Sequence, residues 1–192
     1  DLTFSQALRE ACPGGIYYYM ARPYRVIKFM YRTGRIEVKR ERYWTSRPEA
    51  RVMVFPQFIG GILTLYRSGV GFLAECEMQV REQVLGFIEQ RGRTKLPPHR
   101  YGPDSPYYRH ELTRFLQTTG VCSYFDGEPV LSSAAGELLL ETFCLHMGVK
   151  EQDVGLGRFY ARNTPFGGGP CSGMCIYDAA YGSLRLTQQL AA

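Results

Sequence analysis

The sequence predicts an α+β fold, in which a small, mostly antiparallel β-barrel-like segment precedes a mixed α/β portion with one buried helix. Apolar and polar residues alternate from Ala74 to Arg81, which indicates a long strand. An apolar run from Ala134 to Met147 follows Ser132 or Ser133 and ends at Gly148, as a capped helix does. Its apolar residues nearly encircle it, so we expect this helix to be buried.

A loop rich in proline and glycine, KLPPHRYGPDSPY at positions 95–107, lies between these two patterns. Such loops are typical of domain boundaries. We therefore expect a basic, β-rich segment at residues 1–95, preceded by a short helix, and an α+β segment at residues 96–192.

The first segment begins with an amphipathic helix from Leu2 to Ala11, which Cys12-Pro13-Gly14-Gly15 ends. A hairpin follows, in which residues 24–31 alternate and Thr33-Gly34 forms the turn. After the turn we expect Ile36 and Val38 to point inward and the charged residues between them to point outward. The prediction then has Thr45-Ser46-Arg47-Pro48 breaking the hairpin before a short strand over residues 51–55.

Further strands are predicted at residues 62–66 and 74–81. The alternation loses its phase near Glu82 and resumes at Val84, which indicates a bulge or bend of the kind that barrel strands use. Residues 111–119 fit either a helix or a strand, and the Thr-Thr-Gly-Val-Cys sequence at 118–122 favours a strand that runs to Phe125. A turn at Asp126-Gly127, a strand over residues 174–177 and a final helix over residues 182–190 complete the prediction.

The positive charge of the chain is concentrated in one stretch. The chain has 23 Lys and Arg against 18 Asp and Glu, and Gly15 to Trp44 holds eight of the basic residues but two of the acidic ones. Basic residues interleaved with aromatic ones on strands suit a polyanion with stackable bases, which indicates nucleic acid. The candidate phosphate contacts are Arg22, Arg25, Lys28, Arg32, Arg35, Lys39, Arg40 and Arg42, and the candidate stacking residues are Tyr24, Tyr43 and Trp44.

The same stretch also fits a solvated β surface whose aromatic residues fill a small barrel. Net charge indicates the class of partner and does not identify it. A protein-interaction module that docks through this basic-aromatic surface therefore stays open as the alternative.

Six cysteines are scattered through a chain with no visible signal peptide, which favours free thiols in a reducing cytoplasm. Cys171 and Cys175 are close, but a structural zinc site needs four ligands and no matching second pair follows, so we predict no metal site. No apolar run of about 18 residues is present, and we expect no membrane-spanning helix.

The sequence carries no recognisable catalytic motif. His99, His110 and His146 have no triad or metal-ligand spacing, and the glycine-rich loop at residues 163–173 lacks the lysine of a phosphate-binding loop. An independent enzyme that uses Asp178 beside this loop is the least favoured hypothesis. The residues argue for a binding module.

Read end to end, the chain resembles the region that follows the ATPase core in MrfA-type DEAD/DEAH-box DNA helicases. The resemblance spans nearly the whole chain and depends on the order and spacing of its pieces. The matching pieces are CPGGIYYYMARPYRVIKF at 12–29, ERYWTSRP at 41–48, ECEMQVREQVLG at 75–86, FLQTTGV at 115–121, SAAGELLLETFCLHMGVKEQDVG at 133–155 and IYDAAYGSLRLTQQL at 176–190.

This resemblance implies a β-barrel-like segment followed by an MZB domain. It implies an accessory part of an ATP-dependent superfamily 2 helicase of DNA repair or phage defence, with DNA, the RecA-like core of the same protein and repair or defence proteins as partners. ATP and Mg²⁺ would belong to that core, so no cofactor or catalytic residue is assigned to this chain. Two departures are visible: Ala180-Tyr181-Gly182 replaces the family's Pro-Gly-Gly, and the family's zinc cysteines would lie beyond Ala192.

Overall fold

The computed structural model describes residues 2, 4–42, 44–69, 71–125, 129–150, 153–179 and 186–190. These residues form an α+β fold in which strands dominate. Two helices, α1 (Phe4–Glu10) and α2 (Pro129–Met147), accompany the strands. The strands are β1 (Ile16–Tyr19), β2 (Arg22–Met30), β3 (Arg35–Arg40), β4 (Thr45–Pro56), β5 (Ile62–Ser68), β6 (Gly71–Arg91), β7 (Thr94–Lys95), β8 (His99–Arg100), β9 (Leu112–Phe125), β10 (Val154–Ala161) and β11 (Cys171–Asp178).

The chain forms two compact units, and each unit is built from two separate segments. The first unit comprises residues 1–51 and 82–114, and the second comprises residues 52–81 and 115–192. The division of the sequence near residue 95 stays a prediction. The boundary between Arg81 and Glu82 coincides with the place where the alternation of β6 loses its phase.

The first unit contains a three-stranded antiparallel sheet in the order β1-β2-β3. Its core is a cluster of apolar and aromatic side chains, namely Leu8, Cys12, Val84, Phe87, Tyr101 and Leu112. The Tyr101 hydroxyl donates to the Pro13 carbonyl oxygen at 2.8 Å, which joins the residue after β8 to the loop after α1. A Cβ at Gly86 would overlap the His99 carbonyl oxygen, so only glycine lets β8 approach β6 this closely.

The larger sheet runs in the order β4-β10-β11-β9-β6-β5, and β4 also pairs with β6. The β10–β11 and β11–β9 pairs are antiparallel, whereas β10 pairs with β4 in parallel at Arg158–Met53. In the second unit Phe58 meets Phe72 and Phe159 edge to face, with ring centroids 5.7 and 5.8 Å apart. This geometry is the favoured one for aromatic pairs in a core. The sheets are antiparallel and mixed respectively, and a closed barrel stays a prediction.

Several predicted elements are confirmed, among them α1, the hairpin of β2 and β3, and strand β5. One prediction about strands needs correction, and one open assignment is resolved. β4 continues through Pro48 instead of breaking there, because proline has a strand-compatible φ and interrupts a strand only where its missing N–H is needed. The open assignment at residues 111–119 is resolved as a strand, since β9 runs from Leu112 to Phe125.

The sequence correctly predicts a helix in the region of α2, but the expectation that this helix is buried is wrong. α2 begins at Pro129, a favoured first helical residue, so that Ser132 and Ser133 lie inside the helix and do not cap it. It buries Phe143 and Cys144 in a cluster with Val154 of β10, yet Leu138 and Leu145 are 66% and 85% exposed. The composition could not show this, because exposure depends on which side of the helix a sheet covers. The Asp126-Gly127 turn and residues 182–185 of the final helix lie outside the described residues, and Leu186–Leu190 forms a 3₁₀ helix.

Candidate nucleic-acid interface

The three-stranded sheet of the first unit holds most of the candidate residues and is shaped by two tight turns. A two-residue turn at Met20-Ala21 joins β1 to β2, with φ of 47° and 58° at these residues. These left-handed conformations match the twist of a hairpin but are costly for residues other than glycine. A 3₁₀ turn at Tyr31–Thr33 and Gly34, with φ of 63°, joins β2 to β3.

The strand register brings aromatic and basic side chains together on one face of this sheet. Tyr17 lies opposite Tyr24, which lies opposite Arg40, and Tyr19 lies opposite Arg22. Directly opposed residues in antiparallel strands share a face, as do residues two apart in one strand. We call these five residues the aromatic face. Both arginines and Tyr19 are exposed, whereas Tyr17 and Tyr24 are half-buried.

The opposite side of the sheet, which we call the charged face, mixes both signs of charge. Arg25 lies opposite Lys39, Lys28 opposite Glu37, and Met30 opposite Arg35. Glu37 lies among these cations, with its Oε1 atom 4.0 Å from Arg35 Nε. The charged face is therefore less positive than its count of lysines and arginines indicates.

A bulge in β2 explains why the predicted alternation of the hairpin is only partly met. The register shifts between Val26 and Lys28, which leaves Ile27 as an extra residue that is 56% exposed. Beyond the bulge Lys28 joins the face of Arg25, whereas simple alternation would have separated the two. Val38, which was expected to point inward, is 40% exposed.

Arg25 differs from the other candidates because its guanidinium is already paired within the protein. Its Nη1 atom lies 2.6 Å from Oε1 of the buried Glu89 and donates to the Gly14 carbonyl at 2.9 Å. Its Nε atom donates to Glu41 Oε2 at 3.0 Å. The pKa of Glu41 is lowered, chiefly because its carboxylate accepts the backbone N–H of Arg42 and then because of the bond from Arg25. A phosphate contact by Arg25 would have to replace these bonds.

The other predicted phosphate contacts are exposed: Arg22, Lys28, Arg32, Arg35, Lys39, Arg40 and Arg42. Trp44 is half-buried, and the guanidinium carbon of Arg91 lies 5.8 Å from the centre of its ring. The Trp44 carbonyl accepts a hydrogen bond from Tyr18 at 3.4 Å. Tyr43 lies outside the described residues.

Sequence reasoning missed three residues of this region, Tyr17, Tyr19 and Arg91. The sequence IYYY followed by a two-residue turn and RPY held the necessary signal for the tyrosines, because a hairpin register over Met20-Ala21 pairs Tyr17 with Tyr24. Arg91 had no local signal, since its approach to Trp44 depends on the path of β6.

Asp178, which the sequence analysis weighed for chemistry, has a structural role in the second unit. Both carboxylate oxygens of the buried Asp178 accept backbone N–H groups, from Leu186 at 3.1 Å and from Thr187 at 3.0 Å. This arrangement is that of a helix cap. The Asp178 carbonyl accepts from the Thr118 hydroxyl at 2.9 Å.

The thiols of the second unit are packed in its core. Cys175 and Cys122 lie opposite each other on β11 and β9, and burial raises the pKa of both thiols. Cys175 Sγ lies 3.4 Å from Met78 Sδ. Protonated, buried thiols are poor nucleophiles. Within the described ranges no group of three or more His, Cys, Asp or Glu is arranged to hold a metal ion.

In the part of the chain that the structure describes, no helix is both long and apolar enough to cross a membrane.

No protein-family model matches the chain, and no curated protein matches its sequence.

Solved structures do share the fold. A crystal structure of the DUF1998 helicase MrfA superposes with a TM-score of 0.60 at 14% identity, covering 98% of this chain and 25% of that one. A crystal structure of DUF1998 helicase MrfA bound to DNA gives a TM-score of 0.59 at 12% identity, covering 97% of this chain and 24% of that one. The chain therefore spans about a quarter of the length of these proteins and has the fold of that part of them.

Proposed function

We propose that this chain is a nucleic-acid-engaging accessory domain of an ATP-dependent superfamily 2 DNA helicase, and that it contacts DNA through the sheet of β1, β2 and β3. The observation that supports this proposal most directly is the aromatic face. It combines three tyrosines with two exposed arginines on adjacent strands. Single-stranded nucleic acid is bound in this way, with cations along the backbone and aromatic rings against the bases.

The likeness of fold supports the helicase context. MrfA is described as a helicase and one of its structures is bound to DNA. In this proposal the RecA-like core lies in the same protein and binds ATP and Mg²⁺, and the chain works in the cytoplasm in DNA repair or phage defence. The MZB assignment of residues 96–192 belongs to the same proposal.

The aromatic face also predicts which strand form is bound. A stacked tyrosine needs an unpaired base, whereas the charged face offers cations to any phosphate backbone. We therefore expect tighter binding to single-stranded DNA than to duplex DNA of equal length.

The test is fluorescence anisotropy of labelled single-stranded and duplex oligonucleotides across a salt series. We expect Arg22→Ala/Arg40→Ala to weaken binding and to reduce the slope of log K against log salt by about 0.7 for each lost phosphate contact on a single strand. Arg93→Ala/Arg109→Ala is the matched control, because it removes the same charge from exposed positions of the same unit outside the sheet. Equal slopes for the two variants would contradict the proposal.

The alternative is a protein-interaction module that docks through the same basic-aromatic surface onto the helicase core or a defence partner. It predicts no DNA affinity at low salt, together with loss of partner binding in the Arg22→Ala/Arg40→Ala variant. A pull-down of the helicase core by the wild-type chain and by both double variants distinguishes the two functions.

A further inference from the structure

A cavity of about 740 Å³ opens in the first unit between α1 and the end of the β2–β3 hairpin. This volume lies in the range of small-molecule sites, which are mostly apolar with a few placed polar groups. Its apolar walls come from both elements, with Ala7 on α1 and Phe29, Met30 and Ile36 on the hairpin. Arg32 of the hairpin turn and Arg35, the first residue of β3, also line the cavity.

The lining suits a ligand with a planar ring and a negative charge. Two aromatic residues, Phe29 and Tyr31, line the cavity, and no acidic residue does so among the residues described. Arg32 and Arg35 are exposed, so an anion bound by them would keep part of its solvent shell while the ring entered the apolar space. Arginine provides paired N–H donors that match the oxygens of a phosphate.

The walls of the cavity are held in place by contacts outside it. Phe29 packs edge to face against Tyr108, with ring centroids 6.3 Å apart, and is attached to the core of the first unit. Gly34 adopts φ of 63°, which turns the chain between the two arginines. A Cβ at Gly34 would meet nothing within 4 Å, so this glycine is required for its backbone conformation and not for space.

We infer that this cavity binds a single nucleotide, with the base against Phe29 and Tyr31 and the phosphate on Arg32 and Arg35. The nucleotide has two possible sources, a base of a bound DNA strand or a free mononucleotide. Binding of a base from a DNA strand rests on the proposed function, because the same hairpin presents the charged face. Binding of a free mononucleotide does not depend on the proposed function.

The experiment uses the chain with two probes, deoxyadenosine monophosphate by calorimetry and a single-stranded oligonucleotide by anisotropy. Ile36→Trp fills the cavity, and Leu63→Trp is the control because it places the same side chain at an exposed aliphatic position of β5. Arg32→Ala/Arg35→Ala removes the anion contacts without adding bulk. Circular dichroism establishes that each variant is folded.

A tenfold or larger loss of mononucleotide affinity in Ile36→Trp and in the double arginine variant, with Leu63→Trp unchanged, is the result expected for a free nucleotide. A tenfold loss of oligonucleotide affinity in the same two variants, without measurable mononucleotide binding, assigns the site to a base of the bound strand.

The inference is overturned if the filled cavity leaves both affinities unchanged. Salt-dependent oligonucleotide binding that survives Ile36→Trp would leave the proposed function intact while removing this site. Absence of oligonucleotide binding by the wild-type chain, with mononucleotide binding that Ile36→Trp abolishes, would remove the proposed function and keep the site.

Discussion

The core of the second unit and the small sheet of the first unit use aromatic residues in different ways. In the second unit Phe58, Phe72 and Phe159 are buried and pack edge to face within a core. In the first unit Tyr18 and Tyr19 of β1 are about half exposed on the small sheet. Burial of a ring stabilises the fold, whereas an exposed ring beside cations is available to a ligand. Aromatic residues therefore indicate a binding function only where the folded structure leaves their rings exposed.

Removing a ring should therefore affect stability in one unit and binding in the other. Phe58→Ala leaves a cavity beside the rings of Phe72 and Phe159, and we expect it to lower the free energy of unfolding by about 3–5 kcal/mol. Tyr19→Ala, at an exposed position, should change it by less than about 0.5 kcal/mol. Urea denaturation followed by circular dichroism measures the unfolding free energy of both variants. Equal losses of stability would contradict the difference between the buried and the exposed ring.

The first unit also contains an ion pair between Arg25 and the buried Glu89. Arg25→Met leaves Glu89 in a site where it is about 5% exposed, and we expect a loss of about 3 kcal/mol in unfolding free energy. Because a buried pair can be replaced by apolar residues, Arg25→Met/Glu89→Leu should recover most of this loss. Chemical denaturation of the two single variants and the double variant measures the coupling. If the losses of the two single variants simply add in the double variant, the ion pair is not the cause of the lost stability.

Within the first unit, loss of a stacking ring and loss of a cation should affect DNA binding in different ways. Tyr19→Ala should weaken binding of single-stranded DNA by about 1–3 kcal/mol and leave the salt slope unchanged, because a ring releases no counterions. Arg40→Ala should lower the slope instead. Anisotropy titrations at several salt concentrations measure both quantities, with Tyr66→Ala, an exposed tyrosine of β5, as the control. A slope that changes with Tyr19→Ala would show that its contribution is not stacking.

The smallest expected effect concerns pH. The pKa of Glu41 is held below its ordinary value of 4.5 in the folded chain. Its contribution to stability is therefore present above about pH 4.5 and is lost as the pH falls through the folded pKa. Glu41→Gln should flatten the acid side of the stability–pH curve, as measured by denaturation midpoints between pH 3 and pH 6. Glu37→Gln, on the same hairpin, is the comparison, and an unchanged curve for Glu41→Gln would contradict the assignment.

Much of the local structure followed from patterns within a few residues. The end of α1 shortly before Cys12-Pro13-Gly14, the turn at Thr33-Gly34 and the alternation of β6 all reflect backbone preferences that act locally. The exposure of Leu145 and the continuation of β4 through Pro48 could not be read in this way. Each depends on what lies beside the residue in space, which periodicity does not encode.

The sequence by itself determined where the positive charge lies, that it lies on strands, and that tyrosines accompany it. Only the tertiary structure decided which of these groups are available. Glu89, far along the chain, pairs with Arg25, and the β1–β2 register adds Tyr17 and Tyr19 to the face of Arg22 and Arg40. The physical reason is that ion pairing, stacking and exposure depend on distances between residues that are remote in sequence, and folding sets those distances.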